Sequence, residues 1–223
     1  MEGPSNQPFR ERLQKHRIAP VERAEKLQQI GEDARNVVRI IRPENREMRT
    51  SLIDKEASLP EIAAKAQHAF RELEETTGIR APVNFIVGSD SQGREVLYGV
   101  SPRVISAGFN LNDEEKSEQR REYVALLNKL FTYLATKHEH FSPYPYDIYG
   151  DWQYVYGKTE EGSKNQWYLV DVDPYISEVK TGPRKSIEVI ARHLSKFKDV
   201  LESRILKEQV EQYLATHPEH TTW

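Results

Sequence analysis

PYPYDIYGDWQYVYGKTEEGSKNQWYLVDVDP, residues 143–174, sets one acid, Asp147, behind a long helical pattern and two more, Asp171 and Asp173, at the end of an apolar strand. Between them QYVYG alternates aromatic and aliphatic residues and closes on a glycine. The stretch reads as acidic loop, hairpin, acidic loop. Carboxylates on loops that issue from rigid strands are where metal and phosphate chemistry is commonly staged, because the scaffold fixes the loop while the loop meets the ligand.

Working outward, the residues before this stretch give a buried helix. Tyr123, Leu126, Leu127, Leu130, Phe131 and Leu134 form an apolar stripe, Asn112 is its candidate cap, and DEEKSEQRRE at 113–122 puts acids before bases as the helix dipole prefers. Further upstream, VNFIVG (83–88) and EVLYGVSPRVI (95–105) flank the turn-rich SDSQG and read as an antiparallel hairpin, with Pro102 at its exit. Ser58 followed by Glu61 is a capping box, Pro60 suits a first turn, and Ile62, Ala66, Phe70 and Leu73 keep helical spacing up to Gly78, so a helix is expected from about Leu59. VVRII (37–41) reads as a strand with a partner over Arg49–Lys55. Residues Met1 to Ile30 are polar, with apolar positions three apart that suit a helical arm. Downstream, Gln153–Tyr156 and Trp167–Val172 form a second hairpin. Ile187, Ile190, Leu194, Phe197, Leu201 and Ile205 then carry one continuous helical period, and a short last helix holds Val210, Tyr213 and Leu214.

Composition narrows the function classes. The chain is 37% hydrophobic and 30% charged, with a net charge of -3 and a mean hydropathy of -0.75. Those values fit a folded protein with a well-solvated surface and give no electrostatic footprint for nucleic acid, which is not expected as a partner. No apolar run reaches the roughly 20 residues that span a bilayer, and MEGPSNQPFRER has no secretory apolar core, so no membrane partner and a cytoplasmic location are expected. The absence of cysteine excludes disulfides, thiolate metal sites and a cysteine nucleophile.

The order of strand, helix, hairpin, connector, buried helix, acidic loop, hairpin and helices resembles the protein-kinase-like superfamily, aminoglycoside phosphotransferases included, in a reduced form over Asn36 to Ile205. The resemblance implies an α+β, bilobal fold: a polar arm over 1–35, a small antiparallel-sheet lobe with one helix over 36–106, and a mainly helical lobe over 107–223. YGVSPRVISAGFNL takes the place of the interlobe hinge. Tyr146-Asp147 takes that of the family's Arg-Asp, Gln153 that of its asparagine, and Asp171 that of the aspartate in Asp-Phe-Gly.

Those positions imply ATP and Mg2+ as cofactors. Phosphoryl transfer needs positioning and charge neutralisation more than covalent work. Asp147 would orient or deprotonate an acceptor hydroxyl, Asp171 would bind the metal with Asp173 as a second ligand, and Gln153 would offer an amide oxygen. Lys55 is the candidate phosphate-pairing lysine, with Glu72 or Glu74 as its helix partner; Arg39 or Arg42 is the alternative cation.

The chain departs from the family at stated points. Trp152 stands where the asparagine belongs and Gln153 comes one residue later; no G-x-G-x-x-G precedes the first strands, and no A-P-E follows Asp171. A degenerate, pseudokinase-like protein that binds a nucleotide or small ligand is therefore the leading expectation, with an active small-molecule phosphotransferase as the alternative. Two other classes stay open. Asp171 or Asp173 with Glu178-Val179-Lys180 resembles the D…E-x-K of metal-dependent nucleases, and the terminal helices suit a protein partner in a chain with no ligand.

Several features carry a plainer reading. Strand-end aspartates commonly bond nearby backbone amides, and the aromatic run from Tyr144 to Tyr156 is read as the two faces of a hairpin rather than a stacking platform. His138 and His140 sit two apart at a helix end and so face different sides, and His193 is read as structural.

Overall fold

In the computed structural model, residues 36–41, 57–108, 117–146, 148–150, 153–159, 164–170, 172–177 and 182–217 are described. The expected arm over Met1 to Ile30, the strand over Arg49–Lys55 and the Asn112 cap lie outside them. The architecture is mixed α+β.

Helix α1 (Leu59–Thr77) begins at its capping box: the Glu61 carboxylate reaches back to accept from the Ser58 N–H at 2.7 Å, and it also accepts from the Ser58 hydroxyl at 2.8 Å. It ends on Gly78, whose φ of 69° is open to glycine at little cost and whose N–H reaches the Glu74 carbonyl. The α1 face carrying Ile62, Ala66, Phe70 and Leu73 is buried.

That face covers an antiparallel sheet of β1 (Asn36–Ile41), β3 (Glu95–Pro102) and β2 (Asn84–Ser89), in the order β1-β3-β2. Val38 pairs with Val100 and Ile40 with Tyr98 across the first pair of strands, and Ile86 with Tyr98 across the second. Central β3 is buried on both sides, through Leu97 on one and Val96, Tyr98 and Val100 on the other. Edge strand β2 is partly satisfied by a side chain. The Gln67 amide of α1 donates to the Val83 carbonyl at 3.1 Å and accepts from the Phe85 N–H at 3.2 Å. The SDSQG turn closes on Asp90, which accepts from the Gln92 and Arg94 N–H groups and from the Arg94 guanidinium.

Helix α2 (Ser117–Glu139) is the buried helix of the sequence pattern: Tyr123, Leu127, Leu130 and Leu134 are fully enclosed. A second sheet holds β4 (Ile105–Ser106), β6 (Tyr154–Lys158) and β7 (Gln166–Leu169) in the order β4-β6-β7, with Tyr154 facing Leu169 and Tyr156 facing Trp167. A Cβ at Gly157 would run into the Ile105 carbonyl, so the glycine closing QYVYG is what lets β4 reach β6. A third pair, β5 (Tyr144–Pro145) with β8 (Ile176–Ser177), has no counterpart in the sequence pattern.

The C-terminal period is corrected. The chain forms α3 (Gly182–Leu194) and α4 (Leu201–Thr216), not one helix through Ile205. Phe197 turns inward onto Tyr123, and Asp199 meets the buried Arg120 of α2 at 2.5 Å. These long-range contacts reset the register: Leu201 and Ile205 are exposed, while Val200, Ser203, Leu206 and Val210 are buried. The Ser203 hydroxyl then donates to the Leu194 carbonyl at 2.8 Å, closing the end that α3 leaves open. No helix among the described residues is long and apolar enough to cross a membrane.

Candidate functional site

The segment that carries the first candidate acid leaves α2 through a strained residue. Phe141 has a φ of 49°, and it is held there by bonds from its N–H to His138 and from the Ser142 N–H to Lys137. This is a Schellman ending with phenylalanine where glycine is usual. Tyr144 then enters the core, where its hydroxyl lies 3.2 Å from that of Ser186 in α3. The Tyr146 N–H donates to the Tyr175 carbonyl at 2.9 Å, continuing the β5–β8 pairing.

Past residue 147 the loop is pinned from below. Ile148 is fully buried, and its carbonyl accepts from the Tyr154 hydroxyl at 2.5 Å. Burial pushes that phenol well above its ordinary pKa, with neighbouring Tyr123 adding to the effect, so it is a fixed donor. Gln153, 1% exposed, closes the loop: its Oε1 accepts from the Gly150 N–H at 2.8 Å, and its own N–H returns to the Gly150 carbonyl at 3.1 Å. The Gln153 carbonyl in turn accepts from the Val170 N–H at 2.8 Å. Beneath lies an aromatic cluster in which the Tyr123 ring meets those of Tyr154, Trp167 and Phe197 at 6.0, 4.8 and 5.7 Å.

The other border of the site comes from α1. Arg80, two residues past Gly78, bridges in parallel to Tyr168, and its carbonyl accepts from the Leu169 N–H at 2.8 Å. Strand β7 is therefore held by the α1 exit on one flank and by β6 on the other.

Among the candidate site residues, Lys55, Asp147 and Asp171 lie outside the described residues, as do Trp152 and the Glu178–Lys180 segment. Asp173 is partly buried at the end of the second acidic loop. Gln153 sits between the two acidic loops, where its observed work is to brace the backbone. Glu72 pairs with Lys137 of α2 at 2.5 Å, and Glu74 with Arg80 at 3.0 Å. Both acids that α1 was expected to offer a small-lobe lysine thus carry partners from elsewhere. Among the described residues, no group of three or more His, Asp or Glu side chains is placed to hold a metal ion.

The plainer readings also have their geometry. His138 is buried with Nδ1 3.0 Å from the Tyr213 hydroxyl, whereas His140 is exposed, so the two do not converge. His193 is buried in α3. Tyr144 and Tyr154 belong to the core and Tyr156 packs on Trp167 at 5.3 Å, as expected of hairpin faces.

Sequence reasoning missed Arg80, Tyr175 and Ser186, which hold the site together through backbone bonds or a single hydroxyl contact. Such roles leave no periodic signature. The chain matches no family model, no curated protein and no solved structure.

Proposed function

We propose that the protein is a degenerate kinase-like module that binds a nucleotide or similar small ligand where its two acidic loops meet. The observation that carries this reading is a pair of backbone bonds. The Tyr146 N–H to Tyr175 bond ties the residue before position 147 to the residue two past Asp173, and the Val170 N–H to Gln153 bond ties the end of β7 to the far end of the first loop. This pairing of the two loop segments supports a ligand site shared between them. The element order from β1 to β7 supports a bilobal arrangement, with a small lobe over 36–106 and a helical lobe over 107–223.

The donor set favours a hard cation. Asp171 and Asp173 supply carboxylate oxygens of the kind magnesium takes, and Gln153, enclosed and committed to Gly150, fits a bracing role better than a ligating one. When bound, magnesium would neutralise phosphate charge. Asp147 would orient an acceptor hydroxyl if transfer occurs. The rigid Gln153–Gly150 and Tyr154–Ile148 bonds hold the loop that carries it.

The test is thermal unfolding of the full chain with ATP and magnesium. The melting temperature rises, and Asp171→Ala abolishes the rise; no shift at millimolar nucleotide removes the reading. Transfer of labelled phosphate to small hydroxyl compounds, lost in Asp147→Ala, would make the protein a phosphotransferase rather than a binder. Metal-dependent cleavage of nucleic acid that is lost in Lys180→Ala would instead select the nuclease class.

A further inference from the structure

Helices α1 and α2 leave between them a groove of about 510 Å³, apart from the acidic loops, within the size range of small-molecule sites. Its walls are mostly apolar surface on which several neutral hydrogen-bonding groups are set. Asn128, Thr132 and Thr136 recur every four residues along α2, climbing about 6 Å at each step. Thr76 and Thr77 face them from α1.

Two of the charges in the groove compensate each other, and a third is opposed in part. Lys137 and Glu72 neutralise each other at 2.5 Å. The Lys129 ammonium lies 3.7 Å from where a Cβ on Gly78 would stand, at the negative end of the α1 dipole. An anion entering the groove would therefore meet a single cation that the α1 carbonyl end already opposes in part, and a cation would meet no unpaired carboxylate among the lining residues.

What the groove does offer is a mixture of donors and acceptors. The Thr132 and Thr136 hydroxyls give their protons to the Asn128 and Thr132 carbonyls, so their oxygens face a ligand as acceptors. The exposed Asn128 amide supplies both a donor and an acceptor. The Tyr133 side chain also lines the groove, and its hydroxyl is buried without a hydrogen-bond partner.

We propose that this groove binds a neutral, polyhydroxylated ligand of the saccharide class, whose hydroxyls donate to Thr132 and Thr136 and accept from Asn128 and Lys129. A ligand with alternating hydroxyls matches such a surface because each hydroxyl both donates and accepts, and no ionic group has to be desolvated.

The experiment is calorimetric titration of the full chain with glucose, maltose and glycerol, and with inorganic phosphate as the anionic comparison. Glucose or maltose binds in the millimolar range, and Asn128→Ala/Thr132→Val weakens binding about tenfold, as expected for the loss of one to two net hydrogen bonds. Asp171→Ala leaves saccharide binding unchanged, which keeps this site distinct from the acidic loops. Three results overturn the proposal: no heat with any saccharide, undiminished binding by the double variant, or phosphate binding more tightly than maltose. Both altered positions are exposed on α2, and Thr136→Val repeats the test from the next turn.

Discussion

The exits of helices α1 and α2 both meet strands that border the acidic loops, but the two helices end in opposite ways. Helix α1 closes on Gly78 at a φ of 69°, whereas α2 closes on Phe141 at 49°, where a side chain carries a steric penalty. After Gly78 the chain reaches β7 through the Arg80 carbonyl; after Phe141 it reaches β8 through Tyr144 and Pro145. The first exit is written in the residue itself. The second is imposed from downstream, since Tyr144 is fully buried and its strand partner fixes where the chain must go. Strain of this kind persists only when its surroundings over-determine it.

Breaking the second exit should have the largest effect. Tyr144→Ala removes a fully buried ring and its contact with Ser186, and should lower stability by about 3–5 kcal/mol in denaturant unfolding. A loss below about 1 kcal/mol would mean that Tyr144 does not anchor the exit. Gly78→Ala should cost about 1–2 kcal/mol, because the added Cβ must adopt the left-handed region. Space is not the obstacle there, as that Cβ would meet only the Lys129 ammonium at 3.7 Å.

The mirror experiment has the opposite sign. Phe141→Gly should stabilise the protein by up to about 1 kcal/mol, the relieved strain being partly offset by the added freedom of the unfolded chain. A destabilised variant would show that the half-exposed Phe141 ring contributes more through packing than its backbone loses.

The smallest effect concerns a turn that, like Gly78, is locally encoded. Burial alone would raise the Asp90 carboxyl, but hydrogen bonds from Arg94 and Gln92, helped by the Arg94 charge, hold it below its ordinary value. Its contribution is therefore present above the pKa of the unfolded chain and is lost as pH falls through the lower folded value. Amide exchange at Gln92 and Arg94 should quicken through that acidic window in the native protein. In Asp90→Asn it should be fast and no longer respond to carboxyl titration.

The same contrast decides what is legible in the sequence. Helix α1 is readable from Ser58, Glu61 and Gly78 because each acts on its nearest neighbours, and the β2–β3 hairpin is readable because SDSQG is bounded by β-rich runs. The α3–α4 break is not. No glycine or proline marks it, and the contacts that accompany it, Phe197 on Tyr123 and Asp199 on Arg120, are long-range, the second spanning 79 residues of chain. The β5–β8 pair spans two residues on each side, too few to show a period. In the candidate site the helix, loop and hairpin order can be read in advance. The bracing by Gln153, Arg80 and Tyr175 cannot, since backbone carbonyls carry no residue identity.

The β1-β3-β2 order also matters while the chain is being made. Strand β1 leaves the ribosome before α1, β2 and the turn that leads into its partner β3. At about 5–20 residues per second, VVRII waits on the order of seconds for its partner. During that time it is an apolar edge open to other nascent chains. Arg39, in the middle of that run, is its one charge, and a charge on an edge strand is of the kind that discourages edge-to-edge mispairing.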